Sequence, residues 1–142
     1  MRYDGAIAYL TRPEHPVTRP LATRFNCPTE FALTVLGGKW KTIILAYLSE
    51  RPLHYGELRQ LLPGLSDKVL TERLKDLQQS GLVARDTGSV SRARRPYALT
   101  ARGATLTPIL TDLYAWGTKH AAAFGVRVDN PLQKLDGSDC GP

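Results

Sequence analysis

The chain has 142 residues, and its 19 Lys and Arg exceed its 13 Asp and Glu, giving a formal net charge of +6. That length suits one small domain whose core needs neither metal nor disulfides, and two cysteines, Cys27 and Cys140, are too few for a disulfide scaffold. A polar N-terminus without a long apolar run predicts a cytoplasmic protein with no membrane contact. Between residues 51 and 102 lie ten Lys or Arg against five acids, which favours an anionic partner such as nucleic acid.

The N-terminal third of the chain predicts an arm and two helices. Residues 1–24 carry three prolines among polar residues and are expected to form a flexible arm. Pro28 suits the first turn of a helix, which makes Cys27 its N-cap, and Gly37-Gly38 ends that helix. A second, apolar helix follows and cannot continue past Pro52.

A helix-turn-helix is predicted between Leu58 and Leu77. The apolar spacing of a short first helix ends at Pro63-Gly64, and Ser66 then stands where the N-cap of a second helix belongs. On that second helix the leucines recur at intervals of four and three, so they line one stripe. The opposite face is polar and suits the major groove of DNA, which admits a single helix.

Two sets of side chains are candidates for DNA contact. Base reading is expected from the outward face of the second helix: Ser66, Lys68, Thr71, Glu72 and Lys75. Phosphate or minor-groove contact is expected from arginines before, beside and after that face: Arg59, Arg73, Arg92, Arg94 and Arg95. The alternatives are a merely solvated helix face and arginines that pair with neighbouring acids.

A small hairpin and a long helix are predicted to complete the domain. Leu82–Arg85 and Tyr97–Leu99 predict antiparallel strands joined by an Arg-bearing turn, although Pro96 puts their register in question. Thr100 is expected to cap one long helix that continues to about Gly125. The apolar stripe of that helix exceeds what the hairpin unit can cover, so a homodimer is expected, with packing inside one chain as the alternative. Residues 126–142 predict a polar tail.

Six motifs in order resemble those of HxlR-type winged helix-turn-helix transcriptional regulators. They are Cys27-Pro28, Gly37-Gly38-Lys39-Trp40, Tyr55–Arg59, Ser66–Leu74, Gly81–Val83 and Tyr97–Thr100. The resemblance covers roughly residues 25–120. It implies an α+β, mainly α fold at residues 25–125, with a winged helix-turn-helix and N- and C-terminal dimerisation helices. It also implies a homodimer that binds an inverted-repeat operator in double-stranded DNA, with no enzymatic activity and no cofactor. The Arg-rich wing, Pro96, the arm and the Cys140 tail depart from the pattern.

The signal to which such a regulator responds is left open between two candidates. Cys27 lies at a predicted helix N-terminus, whose partial positive charge favours a thiolate that oxidants or electrophiles can attack. Some members of the resembled family sense such agents through a matching cysteine, although a plain cap or small buried residue is the alternative. The other candidate is a small ligand between the long helix and the N-terminal helices, in an apolar pocket at the dimer interface. Its predicted lining is Trp40, Tyr47, Tyr114 and Trp116, which as aromatics are more often plain core.

Other classes of function have weaker support in the sequence. Gly37-Gly38-Lys39 is not a phosphate loop, because Trp40 replaces the hydroxyl residue that follows the lysine in that loop. The three histidines have no metal-ligand spacing, so no metal site is expected. A winged-helix module that binds only proteins is the remaining alternative, and the basic excess disfavours it.

Overall fold

The computed structural model describes residues 16–18, 23–85 and 95–129. Within these ranges the helices and strands are α1 (Pro28–Leu36), α2 (Lys41–Glu50), α3 (Tyr55–Leu61), α4 (Asp67–Gln79), β1 (Val83–Arg85), β2 (Tyr97–Leu99), α5 (Ala101–Ala104), α6 (Thr107–His120) and a 3₁₀ helix, Ala121–Phe124. Most of the predicted arm, the turn of the wing with Arg92 and Arg94, and the tail with Cys140 lie outside the described residues.

The core forms around the helix-turn-helix. The predicted leucine stripe of α4 is confirmed, because Leu70, Leu74 and Leu77 are almost fully buried. They pack in one cluster with Leu58 of α3 and Leu48 of α2. Burying a leucine side chain stabilises the fold by about 1.5–3 kcal/mol, so the stripe fixes which face of α4 points outward.

The two predicted strands form an antiparallel pair. Val83 lies opposite Leu99, and Arg85 lies opposite Tyr97. Pro96 precedes β2 and therefore withholds no hydrogen bond from the ladder. An isolated β-bridge that was not predicted lies on the other edge of β2, where Leu53 and Tyr97 exchange two backbone hydrogen bonds of 3.0 and 2.7 Å.

The prediction of one long C-terminal helix from Thr100 to Gly125 was wrong. Thr100 caps only the short α5, where its hydroxyl accepts a hydrogen bond from the Gly103 N–H at 3.0 Å. The chain then turns at residues 105–106, and α6 begins with Pro108 in its first turn. Proline has no N–H and its ring clashes with the carbonyl four residues earlier, so it starts a new helix rather than continuing one.

The outer helices α1 and α6 carry apolar side chains that the described chain leaves uncovered. On α1 only Leu36 is buried, whereas Leu33 is 59% exposed. On α6 no residue is fully buried, and Trp116 is 57% exposed. The most exposed apolar side chains of the two helices are Phe31, Leu33, Ile109, Leu113 and Trp116. Several large apolar side chains exposed on one helix favour an interaction site there.

The helices and the small sheet together confirm the predicted α+β, mainly helical, winged helix-turn-helix architecture. In the described ranges, none of the helices taken singly has the length and apolar character needed to span a membrane. Taken together, α1 and α2 have the length and composition of a membrane-spanning segment, but the two helices are bent by 82° relative to each other.

Candidate nucleic-acid interface

The outward face of α4 is polar and exposed. Ser66 is the N-cap, and its hydroxyl accepts a hydrogen bond from the Val69 N–H at 3.2 Å. The predicted base-reading residues Lys68, Thr71, Glu72 and Lys75 are all exposed. They lie opposite the buried leucines because α4 is amphipathic along its whole length. The face offers cationic and hydroxyl donors together with a carboxylate acceptor, which is the mixture that base edges in the major groove require.

Arg59 is engaged within the helix-turn-helix. Its Nε lies 2.7 Å from Asp67 Oδ1, and its Nη1 donates a hydrogen bond to the carbonyl of Leu65 in the turn between α3 and α4. Tyr55 joins this group, because its hydroxyl lies 3.0 Å from Asp67 Oδ1 and 3.4 Å from Thr71 Oγ1. Arg59, which was predicted to contact phosphate, therefore holds the turn in place. Tyr55 was not among the predicted DNA-contact residues, but its hydroxyl contacts Thr71, a predicted base-reading residue.

Arg73 is also engaged inside the protein. Its Nε donates a hydrogen bond of 2.9 Å to the carbonyl of Lys39, in the turn between α1 and α2. Its Nη1 lies 3.8 Å from Asp76 Oδ2 one turn further along α4. The Arg73 side chain is only 28% exposed. Both arginines predicted to hold phosphates on the helices thus have protein partners.

The wing places one unpredicted arginine at the end of β1. The guanidinium of Arg85 lies 4.6 Å from the centroid of the Tyr97 ring, its cross-strand neighbour. Its Nε is buried without a hydrogen-bond partner. Arg95 is half-buried just before β2, whereas Arg92 and Arg94 lie outside the described residues. Arg85 could have been found from the hairpin register, since residues that face each other across a strand pair interact.

Cys27 is an exposed free thiol at the start of α1. It occupies the predicted N-cap position, but its side chain makes no capping hydrogen bond. The backbone N–H groups of Glu30 and then Thr29 still lower the pKa of the thiol below its ordinary value. Unpaired N–H groups at a helix N-terminus stabilise a negative charge, so this thiol carries more thiolate at neutral pH than a free cysteine does. Among the residues that the structure describes, no cluster of His, Cys, Asp and Glu could hold a metal ion.

A cavity of about 650 Å³ lies between α2 and α6. It occupies the predicted position between the C-terminal and N-terminal helices, but of the four predicted aromatics only Tyr114 lines it. Burial raises the pKa of the Tyr114 phenol. The rest of the lining mixes apolar and hydroxyl side chains with two acids: Thr42, Ile43, Ala46, Ser49, Glu50, Thr107, Leu110, Thr111, Leu113, Gly117, Thr118, Val128 and Asp129.

The other three predicted pocket residues, Trp40, Tyr47 and Trp116, do not line this cavity within the single chain. Tyr47 is fully buried in the core. Trp40 lies close to Gly64 in the turn before α4. Trp116 is on the exposed face of α6, where its ring lies 4.7 Å from that of His120. Tyr114 and Trp116 are two residues apart on one helix and therefore point in different directions.

The family model described as HxlR-like helix-turn-helix matches residues 35–124. The chain belongs to this family. A similar relative is the Bacillus subtilis HTH-type transcriptional regulator YkvN, 36% identical over 98 residues, which are 69% of this chain and 83% of YkvN. The family's members are transcriptional regulators, so this chain is a regulator with a helix-turn-helix DNA-binding fold and not an enzyme.

Solved structures of other regulators have a similar fold. The redox regulator HypR in its oxidised form is 34% identical, with a TM-score of 0.60, over 66% of this chain and 96% of HypR. The quinone-bound YodB of B. subtilis is 32% identical, with a TM-score of 0.56, over 66% of this chain and 99% of YodB. For an HxlR-like chain, α4 is the helix of the reading unit, and β1 and β2 are the strands of its wing.

Proposed function

We propose that this HxlR-like regulator binds duplex DNA as a homodimer at an inverted repeat. The observation that carries the proposal is the exposed polar face of α4, fixed outward by the buried leucines on its other side. Each α4 would enter the major groove of one half-site. Lys68, Thr71, Glu72 and Lys75 would contact base edges, with Ser66 at the start of the helix.

The homodimer is supported by the uncovered apolar surface of α1 and α6. Ile109, Leu113 and Trp116 recur at intervals of four and three along α6, so they form one continuous stripe. A two-fold interface through this stripe and through Phe31 of α1 would bury the same surface on both copies. Two copies related by such an axis present their reading helices to two half-sites of opposite orientation.

Affinity without sequence preference is assigned to the wing. Arg92, Arg94 and Arg95 would contact phosphates or the minor groove, which position the protein but do not specify sequence. We reassign Arg59 and Arg73 from phosphate contact to holding α4, because their guanidinium groups already bind carbonyl and carboxylate oxygens of the protein.

We further propose that Cys27 makes the regulator responsive to oxidants or electrophiles. The thiol is exposed, and the N-terminal N–H groups of α1 lower its pKa, which are the two properties that make a cysteine reactive. The likeness to a redox regulator and to a quinone-bound regulator supports this direction. Since α1 carries exposed apolar residues of the proposed dimer interface, modification of Cys27 would act where the two copies meet.

A small organic ligand is the second candidate signal, favoured by the cavity between α2 and α6. A volume of about 650 Å³ falls within the usual range for sites that hold a drug-sized molecule. Its lining combines apolar side chains with hydroxyl groups, including that of Tyr114, and this composition suits an apolar molecule with a few hydrogen-bonding groups.

The experiment that tests DNA-binding regulation starts from the full chain and fragments of its source genome. Fragments retained by the protein would be sequenced, and the selected site would be titrated by fluorescence anisotropy against a random duplex of equal length. Light scattering of the same samples gives the mass of the free protein. The proposal expects a dimer that prefers the selected site. A strict monomer, or equal affinity for random DNA, would overturn it and leave a protein-interaction module as the better explanation.

A further inference from the structure

The turn between α1 and α2 is bonded to the middle of α4. Lys39 in this turn accepts the hydrogen bond from Arg73 Nε, although the two residues are 34 positions apart. The turn has an unusual backbone, since Gly38 and Trp40 both have positive φ, at 108° and 81°. Glycine adopts such angles freely, whereas a bulky residue such as tryptophan does so only where its surroundings hold it. The conformation of the turn is therefore set by its contacts.

Charged groups join the same turn to α4. Lys41 is only 2% exposed, and its Nζ lies 3.8 Å from Asp76 Oδ2. Arg73 Nη1 lies 3.8 Å from the same oxygen. Asp76 thus lies near two cationic groups, that of Arg73 in its own helix and that of Lys41 in the first turn of α2. A nearby opposite charge stabilises a buried ammonium, and Asp76 supplies one for Lys41.

The neighbouring tryptophan extends this connection to the start of α4. A Cβ built on Gly64 would lie 3.5 Å from Cη2 of Trp40, so the ring contacts the turn that leads into α4. The segment Gly38–Lys41 therefore touches the approach to the reading helix through Trp40 and its middle through Lys39 and Lys41. We call the contacts of Arg73 and Asp76 with Lys39 and Lys41 the α4 clamp.

We propose that Arg73 and Asp76 are positioning residues that set the orientation of α4 against the α1–α2 turn, and so determine how well the protein discriminates its operator. The proposal rests on the proposed DNA-binding function. Through the clamp, a displacement of α1 would change the angle at which Lys68, Thr71 and Lys75 meet the groove. Arg73 acts through Lys39 and does not itself contact DNA.

Asp76→Asn separates two explanations, because loss of charge alone would leave the ratio of operator to random-duplex affinity nearly unchanged, whereas loss of the clamp would lower it. Loss of a negative charge alone should tighten binding to any DNA, because the protein becomes more positive. The clamp predicts instead that the ratio of operator to random-duplex affinity falls by about fivefold or more, since a misplaced α4 weakens at least one base contact. Asp129→Asn is the control, because it changes the net charge equally at an exposed position outside α4 and outside the helices α1 and α6 of the proposed dimer interface. A ratio within about twofold of wild type in Asp76→Asn would overturn the proposal.

Arg73→Lys serves as the second variant if Asp76→Asn does not fold. Lysine keeps the positive charge, so if Arg73 only contacted a phosphate, the preference for operator over random DNA would stay unchanged. Lysine lacks the planar guanidinium, which contacts the Lys39 carbonyl and Asp76 at the same time. The clamp therefore predicts a lower preference for operator over random DNA, while the salt dependence of DNA affinity stays unchanged. Wild-type affinity and preference in Arg73→Lys would contradict the clamp. If Arg73→Ala reduced the slope of log DNA affinity against log salt concentration, Arg73 would instead be a phosphate-contacting residue.

Hydrogen exchange separates failure of the clamp from failure of DNA binding. In either variant, amides of residues 38–41 and of the centre of α4 should exchange faster than in wild type, because the contact that ties them together is weakened. If wild type shows no operator preference but exchange rises in this way, the proposed function is wrong and the structural clamp stands. Unchanged exchange in both segments would overturn the clamp whatever the DNA result.

Discussion

Arg59 Nε lies 2.7 Å from Asp67 Oδ1, and this ion pair joins α3 to the first turn of α4. Because the pair is partly exposed, Arg59→Ala should lower the free energy of unfolding by only about 1 kcal/mol. The salt dependence of DNA affinity should stay as in wild type, since a guanidinium that holds the turn releases no counterions from DNA. Chemical denaturation and anisotropy titrations between low and moderate salt measure the two quantities.

In contrast to Arg59→Ala, Arg94→Ala should change the salt dependence of DNA affinity and leave the stability of the fold almost unchanged. Loss of one phosphate contact should reduce the magnitude of the slope of log affinity against log salt by about 0.9, for operator and random DNA alike. The free energy of unfolding should change little. A change of sequence preference alone in Arg94→Ala would show that the wing reads bases, contrary to the assigned roles.

Thr71→Ala and Lys68→Ala test the reading face of α4. Each should reduce the preference for operator over random DNA, by up to about 1–3 kcal/mol for a lost base contact, and less for a single hydroxyl. Thr71 has an additional contact with the Tyr55 hydroxyl at 3.4 Å, so Tyr55→Phe should reduce the preference in the same direction by a smaller amount. Competition titrations with single base-pair changes in the operator would locate the position that each side chain reads.

Gly103 shows how tightly α5 packs on the wing. A Cβ at this position would lie 2.1 Å from the carbonyl oxygen of Leu82, in backbone that cannot move away cheaply. Gly103→Ala should therefore destabilise the fold by about 1–3 kcal/mol, as overpacking in a dense core does. Gly56→Ala in α3 is the matched control, because nothing lies within 4 Å of its added Cβ. Equal melting temperatures for the two variants would contradict the packing at Leu82.

The free energy of unfolding should depend on pH through the carboxyl group of Glu57. Burial raises the pKa of its carboxyl, but hydrogen bonds from the His54 backbone and from Arg51 outweigh this and lower it from 4.5 to about 2. A carboxylate whose folded pKa is depressed contributes stability above its unfolded pKa and loses it as pH falls toward the folded pKa. Stability should therefore decline between about pH 4.5 and pH 2 more in wild type than in Glu57→Gln. The difference should stay below about 1 kcal/mol, because the pair is exposed.

The sequence predicted those parts of the fold that are encoded over a few residues. The leucine stripe of α4, the Ser66 cap and the two strands follow from spacing and capping rules, and the structure contains them. Pro108 marks the break before α6, but the apolar spacing continues on both sides of it and therefore predicts one uninterrupted helix. The ion pairs of Arg59 with Asp67 and of Arg73 with Asp76 agree with the alternative that these arginines pair with neighbouring acids. The hydrogen bond from Arg73 to Lys39 could not be predicted, since it spans 34 positions and depends on how helices pack. For the same reason the identity of the aromatics gave no guide to which of them line the cavity.

The reactivity of Cys27 can be measured apart from its role in the cell. Because the N-terminal N–H groups of α1 lower the pKa of its thiol, alkylation should reach half its maximal rate at a pH below that of a free cysteine, which is about 8.5. Diamide or a quinone should then release operator DNA from wild type and not from Cys27→Ser. Equal release from both proteins would remove Cys27 as the sensor and favour a ligand in the cavity between α2 and α6.

The spacing of the two half-sites tests most directly whether a dimer reads DNA with two α4 helices. The selected operator would be compared with a version that carries five extra base pairs at its centre, which rotates one half-site by roughly 180° about the DNA axis, and with a version that carries ten. The account predicts that five added base pairs reduce affinity nearly to that of random DNA. It also predicts two chains per intact operator in light scattering. Unchanged affinity after the five-pair insertion, or one chain per operator, would contradict it.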